Sequence, residues 1–355
     1  MSFFYQFPAV KGKQAGRDYY IAMLPLKLLS KIFTASDEES LPPEFRAQRK
    51  LNELRIPEIK EYILNNKNNY VFSALSATIS GDFDFKTFSE EDSLGIITVP
   101  MESHFLINDG QHRKAAIEAA LKEDDTIGDE TISVVFFKDE GIERSQQMFT
   151  DLNKHAVKSS KSLSTLYDNR NTLATATKNI ISNIDFFRKY TDLEKDNLGK
   201  NSSNLFTLAN FYHANKKILK TEDCSNEDEI FLKTYWTSVS DNIVEWNELA
   251  RKEITKKDLR ENYILTLGIT ILAFGKLGNY FYQNKSISFE EKLKGLKQID
   301  WSRSCTSNWA NRTIRSDGKI INNENAIVLT CSKIKQLLEI ELSPEELIKE
   351  RSINK

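Results

Sequence analysis

A strand, a glycine-containing turn and a helix are predicted in direct succession around residues 109–113, whose sequence is DGQHR. Residues 103–108 form a short apolar run that is typical of a strand. Residues 114–121 are rich in strong helix formers, and their small and apolar members recur at helical spacing. Because a strand has to pass into a helix within one pentapeptide, this junction constrains the fold more than any other part of the chain.

The same turn is predicted to hold an anion. The first backbone N–H groups of a helix lack intrahelical partners, and the helix dipole favours negative charge at that end. His112 and Arg113 add side-chain donors in the first turn. We therefore expect a phosphate group here, while a plain strand-to-helix turn with an exposed His and Arg remains the alternative.

Helix and strand patterns alternate through the first 160 residues, which favours a mixed α/β domain. Pro57 opens a helix over residues 58–64, and residues 131–137 are dense in the β-branched and aromatic residues of a strand. Farther along, helical periodicities dominate and clear strand patterns are absent. The long helical segments are predicted at residues 164–188, 204–219, 228–253 and 257–282. The sequence therefore predicts an α+β chain, with an α/β domain at residues 1–160 and a helical domain with a Trp/Arg-rich end at 161–355.

Charge and cysteine usage limit the classes of function. The formal net charge is −2, so any binding of nucleic acid has to come from local basic patches. The three cysteines are far apart in sequence and suggest neither a zinc site nor a disulfide framework. The chain begins without a signal-peptide pattern, and residues 263–274 are too short and mixed to cross a bilayer. We expect a cytoplasmic protein with no membrane partner.

Two local clusters of basic side chains could contact DNA phosphates. The first cluster contains Lys154, Lys158 and Lys161; the second contains Arg251, Lys252, Lys256 and Lys257. The alternative for the first cluster is a charged connector in solvent, and for the second a solvated helix face. A third basic segment, with Arg46, Arg49 and Arg55, precedes Pro57. It is either a solvated basic face or a functional segment, and in the second case we expect Arg49 to lie over the groove that the family resemblance described below implies at the DGQHR turn.

Aromatic and basic side chains also interleave at residues 300–315, which contain Trp301, Arg303, Trp309 and Arg312. Such side chains can stack on bases, or the tryptophans can be buried under the arginine stems, which we prefer. No Walker loop, HExxH helix or GxSxG elbow occurs in the chain. The acidic residues between positions 82 and 92 lack EF-hand spacing and are expected to form a solvated loop.

Four blocks of sequence, in order along most of the chain, resemble the DGQHR-domain family. Within it they are most similar to the DndB family of DNA sulfur modification (phosphorothioation). The blocks are residues 48–51 with 55–63, residues 107–113, residues 148–156 with 158–161, and residues 299–303 with 309 and 311–312. The resemblance implies a ParB/sulfiredoxin-like core in the first domain.

In ParB-like proteins the turn that corresponds to DGQHR binds the triphosphate of a nucleotide. Carried over by position, Gly110 would let the backbone approach the phosphates and Arg113 would contact two oxygens. Gln111 and His112 would add contacts, and Asp109 would orient a basic side chain or hold Mg²⁺. We include Asn153, in the third block, among the nucleotide-binding candidates.

The implied cofactor is ATP or CTP with Mg²⁺. Nucleotide-binding ParB proteins have a Glu/Arg-rich motif where this chain has Gln-His-Arg, so the sequence leaves open whether a nucleotide is bound or hydrolysed. Asp109 and His112 are the nearby candidates for a catalytic role in an NTPase.

The resemblance implies a DNA-binding regulator, a transcriptional repressor that binds double-stranded promoter DNA of its own phosphorothioation gene cluster. Two alternatives remain. The first is a nucleotide-switched NTPase or DNA-processing component, which is compatible with regulation. The second is a scaffold for other DNA sulfur modification proteins. A homo-oligomer fits any of the three.

Overall fold

The computed structural model describes residues 3–33, 51–90, 93–154, 159–199, 202–315 and 317–353. The chain divides into two compact units, Met1–Val157 and Lys158–Lys355. Among the described residues, the first unit holds a seven-stranded sheet with four α-helices, and the second is mainly helical. The predicted mixed α+β class is therefore confirmed.

The sheet of the first unit has the strand order β4-β5-β1-β2-β7-β3-β6. Its strands are β1 (Phe4–Gln14), β2 (Arg17–Pro25), β3 (Leu75–Ile79), β4 (Asp84–Thr87), β5 (Leu94–Pro100), β6 (Phe105–Asp109) and β7 (Thr131–Lys138). Neighbouring strands are antiparallel except β3 and β7, which are parallel. This arrangement places β6, the strand that precedes the DGQHR turn, at one edge of the sheet.

Alternation of apolar residues explains which face of the strands is buried. In β7, Ile132, Val134 and Phe136 are buried, and the residues between them are half-buried. Side chains of a strand point to opposite faces in turn, so one face of β7 supplies the core. All five residues of β3 are buried, because this strand lies between β7 and β6. The buried residues include two polar ones, Ser76 and Thr78.

The helices of the first unit are α1 (Leu26–Ile32), α2 (Ile56–Asn65), α3 (Gln111–Glu123) and α4 (Ile142–Lys154). Helices α1 and α2 both contact α3, and α4 contacts β6. Pro57 lies in the first turn of α2, where its missing N–H costs no intrahelical bond. Buried Ile63 of α2 and Ile117 of α3 join the aromatic and aliphatic residues of the sheet in one core.

The second unit contains twelve α-helices among its described residues. They are α5 (Lys161–Tyr167), α6 (Thr172–Asn183), α7 (Asp185–Tyr190), α8 (Leu208–Leu219), α9 (Asn226–Asn242), α10 (Val244–Ala250), α11 (Lys256–Asn262), α12 (Gly268–Gln283), α13 (Phe289–Leu293), α14 (Thr306–Trp309), α15 (Glu324–Leu337) and α16 (Pro344–Ile353). Two short strands, β8 (Thr191–Asp192) and β9 (Phe206–Thr207), pair in parallel. Helix α12 packs against α8 and α15, and all four tryptophans of the chain are fully buried in this unit.

The predicted long helices are interrupted, and the interruptions have local causes. Residues 164–188 form parts of three helices, because Asp168 accepts the backbone N–H groups of Arg170 and Asn171, and Asn171 then caps α6. Ile243 is extended and separates α9 from α10. The expectation that this region lacks strands was wrong, since β8 and β9 pair there. The acidic segment after Ile79 is likewise more than a loop, because it contains β4.

The Trp/Arg-rich segment belongs to the core of the second unit. Trp301 and Trp309 are both fully buried, and their rings stack with centroids 5.3 Å apart. Arg303 donates to the backbone carbonyls of Tyr263 (3.1 Å) and Arg260 (2.6 Å). The preferred interpretation, that these side chains hold the domain together, is confirmed.

The described residues also bear on the cysteine and membrane expectations. Cys224, Cys305 and Cys331 are free thiols. Within the described ranges, no helix combines the length and the apolarity that a membrane span requires.

Candidate functional site

The DGQHR turn joins β6 to α3 through a glycine that no other residue could replace without strain. Gly110 has φ of 102° and ψ of 14°, in the left-handed region that residues with a Cβ avoid. A Cβ on Gly110 would lie 2.4 Å from Cδ2 of Leu75 in β3. The backbone therefore passes close to the sheet at this point, and no N-cap side chain covers the start of α3.

Arg113 is held by internal partners. Its guanidinium donates to the carbonyl oxygens of Ser73 (2.7 Å) and Ala74 (2.9 Å) and to the hydroxyl of Ser73. It also donates to Oδ2 of Asp109 at 2.5 Å. The side chain is 17% exposed. Arg113 thus ties the first turn of α3 to the segment that precedes β3, and the phosphate contact expected of it stays a prediction.

Asp109 takes the first of the two roles expected of it. Its carboxylate orients the Arg113 guanidinium across one helical turn and balances its charge. No cluster of three or more His, Cys, Asp or Glu side chains that could hold a metal ion occurs among the described residues. The magnesium contact expected of Asp109 stays a prediction.

The side chain of His112 is buried. It is 8% exposed, and its Nε2 accepts a hydrogen bond from the backbone N–H of Asn52 at 3.0 Å. Its bond fixes the segment that leads into α2 against the start of α3.

A cavity of about 480 Å³ opens at this turn. Helix α2, the segment before β3, the end of β6, the DGQHR turn and α4 all contribute to its wall. The lining residues are Arg55, Glu58, Ile59, Tyr62, Phe72, Asn108, Asp109, Gly110, Gln111, His112, Arg113, Phe149 and Asn153. Volumes of this size are typical of small-molecule and cofactor sites.

The cavity wall combines aromatic faces with charged groups. Tyr62 and Phe72 meet edge to face with ring centroids 6.0 Å apart, and the Tyr62 hydroxyl accepts the backbone N–H of Val71. Arg55 and Arg113 supply positive charge, while Glu58 and Asp109 supply negative charge. The site can therefore accept a ligand that is part planar and part ionic, rather than a bare anion.

Asn108 is the most informative residue in this wall. It precedes Asp109 on β6, it is 0% exposed, and neither its Nδ2 nor its Oδ1 has a hydrogen-bond partner. Burying an amide without such bonds costs on the order of 1–3 kcal/mol, and native proteins carry few such groups. Asn108 is thus a residue of the cavity wall whose carboxamide has neither a donor nor an acceptor partner within the protein.

The structure brings most of the predicted nucleotide-binding residues together. Gly110, Gln111, His112, Arg113 and Asn153 all line the one cavity. The Asn153 amide donates to the backbone oxygen of Phe149 one turn earlier in α4, at 2.8 Å. Arg49 lies outside the described residues, but Arg55, from the same basic segment, lines the cavity.

The first predicted DNA-binding cluster is described in part. Lys154 ends α4 and Lys161 begins α5, and both are exposed. Lys158 and His155 lie outside the described residues. Lys154 belongs to the first compact unit and Lys161 to the second, so the two lysines are borne by different units.

The second predicted cluster has nearby acidic groups. Arg251 makes a two-bond ion pair with Glu253, at 2.8 and 2.9 Å. Lys256 donates weakly to the carbonyl of Ser203, while Lys252 and Lys257 are exposed. Part of the positive charge of this run is therefore balanced within the second unit.

Sequence reasoning missed Asn108 and the aromatic wall formed by Tyr62, Phe72 and Phe149. One signal for Asn108 was present, because a carboxamide stood inside an apolar strand directly before the motif. The aromatic residues gave none, since they come from three segments that only the tertiary fold brings together.

Comparison with known proteins identifies a family. A family model described as DndB, DNA-sulfur modification-associated, matches residues 7–341 of the 355. No curated protein and no solved structure matches the chain. The matched range includes the cavity, the DGQHR turn and nearly all of the helical unit.

Proposed function

We propose a function from one premise: this chain belongs to the DndB family of DNA-sulfur-modification-associated proteins. Its role lies in DNA sulfur modification. Within that role it is a regulator that binds double-stranded DNA at the promoter of its own modification gene cluster and represses transcription. A nucleotide, ATP or CTP with Mg²⁺, occupies the cavity at the DGQHR turn, and its occupancy controls DNA binding.

One observation carries the nucleotide part of this proposal. The first turn of α3 and the buried, unpaired Asn108 line the same cavity, and Arg55 adds a cation at its wall. A helix start favours phosphate, and an unpaired carboxamide favours a ligand with its own hydrogen-bonding groups. A nucleotide has both. The resemblance to ParB-like proteins adds that the corresponding turn binds phosphates in those proteins.

We favour nucleotide binding over nucleotide hydrolysis at this cavity. An NTPase needs a group that activates or positions water near the terminal phosphate. The two candidates already have partners, since Asp109 bonds to Arg113 and His112 accepts the Asn52 N–H. The cavity is therefore better suited to a nucleotide that acts as a signal than to one that is turned over.

DNA contact is assigned to exposed lysines. Lys154 and Lys161 flank the passage from the first unit to the second, and Lys252 and Lys257 are exposed in the second unit. Such side chains contact phosphates without reading sequence. Promoter preference has to come from base contacts or DNA shape, and other DNA sulfur modification proteins or a second copy of the chain are proposed partners in that assembly.

Fluorescence anisotropy with labelled duplexes tests the regulator. The promoter of the chain's own gene cluster and a shuffled duplex of equal length and composition are titrated at physiological salt, with and without ATP or CTP plus Mg²⁺. We expect the promoter to bind at least tenfold more tightly, and nucleotide to change its affinity.

Equal affinity for both duplexes in every condition would contradict the hypothesis that the protein is a promoter-specific repressor. Absence of DNA binding, together with stable co-purification with other sulfur modification proteins, would favour the scaffold instead. Steady release of phosphate from the nucleotide, abolished by His112→Ala, would favour the NTPase.

A further inference from the structure

We propose that Asn108 recognises the hydrogen-bonding edge of a nucleobase in the cavity at the DGQHR turn. This inference rests on the proposed nucleotide site and deepens it, because it assigns base recognition to a residue outside the DGQHR motif. It also predicts that phosphates alone are insufficient for binding.

The state of Asn108 is the first step. The residue is fully buried on β6, and its Oδ1 and Nδ2 both lack partners. Asp124, which also has an atom without a hydrogen bond, is ion-paired with Lys67. The other described side chains with such an atom lack a partner at one atom only, and they are Thr191, His213, Glu245 and Trp246. Asn108 alone in this set lacks both a donor partner and an acceptor partner, and it alone in this set lines the cavity.

The chemistry of a carboxamide is the second step. It presents one N–H donor beside one C=O acceptor in a plane, and it pairs with a ligand edge that has an acceptor beside a donor. Nucleobases carry such edges, and the bidentate pairing of Asn with adenine is an example. A phosphate group has acceptors only, so it could satisfy the Asn108 amide nitrogen but never its oxygen.

The neighbouring side chains are the third step. Tyr62, Phe72 and Phe149 line the same cavity as Asn108, and aromatic faces bind planar heterocycles by stacking. The Tyr62 ring is fixed by its contact with Phe72 and by the bond from Val71 N–H to its hydroxyl. The wall is therefore preorganised for a flat ligand.

A matched control lies in the second unit. Asn215 is also 0% exposed, but its Nδ2 donates to Thr177 (2.9 Å) and its Oδ1 accepts from Trp236 (2.7 Å). The two asparagines share residue type and burial and differ in whether the protein satisfies them. Replacement of Asn108 by leucine removes an unpaired amide, whereas replacement of Asn215 breaks two bonds.

The experiment compares wild type, Asn108→Leu and Asn215→Leu in the full chain. Isothermal titration calorimetry measures binding of ATP, CTP and inorganic tripolyphosphate, each with Mg²⁺. We expect wild type to bind at least one nucleotide at least tenfold more tightly than tripolyphosphate. Asn108→Leu should lose that tenfold preference, while Asn215→Leu should keep it.

Stability is the second readout. Urea unfolding, followed by hydrogen exchange of peptides from β6 and α3, should show Asn108→Leu to be as stable as wild type or more stable. Asn215→Leu should be clearly less stable, by tryptophan fluorescence. If Asn108→Leu is the variant that loses stability, Asn108 has a structural role and the inference is overturned.

Two further results separate the inference from the proposed function. Equal binding of tripolyphosphate and nucleotides by wild type overturns base recognition and leaves a phosphate site in place. Absence of any binding overturns both. A displacement assay with short oligonucleotides, with and without an abasic position, shows whether the recognised base comes from a free nucleotide or from a DNA strand.

Discussion

The role of a single residue in this protein depends more on its hydrogen-bond partners than on its residue type. Arg113 has the planar, charged side chain expected of a phosphate ligand, but its donors reach Asp109 and the backbone of Ser73 and Ala74. Asn108 has no charge and is the side chain that lacks partners. The residue type predicted for binding and the residue free to bind are thus different.

Glu245 of α10 gives a prediction at this scale. Burial, against the effect of a hydrogen bond from its own backbone N–H and with smaller contributions from the charges of Glu248 and Asp300, raises its pKa to about 7. Its Oε2 has no partner. The folded state therefore keeps a proton that the unfolded state has released, so this residue lowers stability as pH rises from about 4.5 towards 7.

Replacement of Glu245 by glutamine should remove that loss. We expect the variant to match wild type at pH 4.5, and to be more stable at pH 8 by roughly 1–2 kcal/mol, after allowance for solvent screening around a half-buried group. Urea unfolding followed by tryptophan fluorescence at the two pH values measures the difference. A constant gap between the variants across the pH range would contradict the assignment.

At the scale of elements, the β6-turn-α3 junction depends on Gly110. Its φ of 102° disfavours any residue with a Cβ, and that Cβ would collide with Leu75 of β3. The strained backbone costs about 1–2 kcal/mol, and the collision adds about 1–3 kcal/mol. The turn is therefore fixed by packing against the sheet as well as by local conformation.

The Gly110→Ala variant tests this junction. We expect a loss of about 2–5 kcal/mol in the opening free energy of α3, together with weaker nucleotide binding. Hydrogen exchange of α3 amides measures the first quantity. Gly141, which precedes α4, is a matched control, because its φ is 96° and a Cβ there would meet open space. Gly141→Ala should lose only about 1–2 kcal/mol, and equal losses in both variants would argue against the contact with Leu75.

At the scale of the whole molecule, charge sets how DNA can be bound. The net charge of −2 gives no long-range attraction to DNA. Affinity then depends on a small number of lysine contacts to phosphates, and each contact adds about 0.9 to the slope of log affinity against log salt.

Replacement of a lysine that contacts DNA should therefore make the affinity for DNA less dependent on salt concentration. We expect Lys154→Ala and Lys161→Ala each to reduce the salt slope of promoter binding by about 1, with similar losses on promoter and shuffled DNA. Lys297→Ala, an exposed lysine outside both predicted clusters, should leave the slope unchanged. Anisotropy titrations at several salt concentrations measure these slopes. Unchanged slopes for Lys154 and Lys161 variants would move the DNA contact elsewhere.

The location of the tryptophans gives each unit its own spectroscopic readout. All four tryptophans, Trp236, Trp246, Trp301 and Trp309, lie in the second unit. Tryptophan fluorescence therefore follows unfolding of the helical unit, and exchange of β6 and α3 peptides follows the sheet unit. The two sets of variants can be scored without assuming that the chain unfolds in one step.

The sequence by itself determined the local and the periodic features. The strand before the motif, the helix after it, the α2 start at Pro57 and the mixed α+β class all follow from patterns within a few residues, because local propensity and side-chain period act over that range. The ordered blocks also determined the family. Breaks in the helical unit were missed, because caps such as Asn171 depend on one side chain each.

Only the tertiary structure decided the site. The cavity wall combines residues from α2, the segment before β3, β6 and α4, which are as far apart in sequence as Arg55 and Asn153. Whether a polar group is satisfied is a property of its neighbours in space. The sequence could suggest a basic partner for Asp109, but the unpaired state of Asn108 cannot be read from a pattern of residue types, since it depends on the distances that packing of the sheet and helices creates.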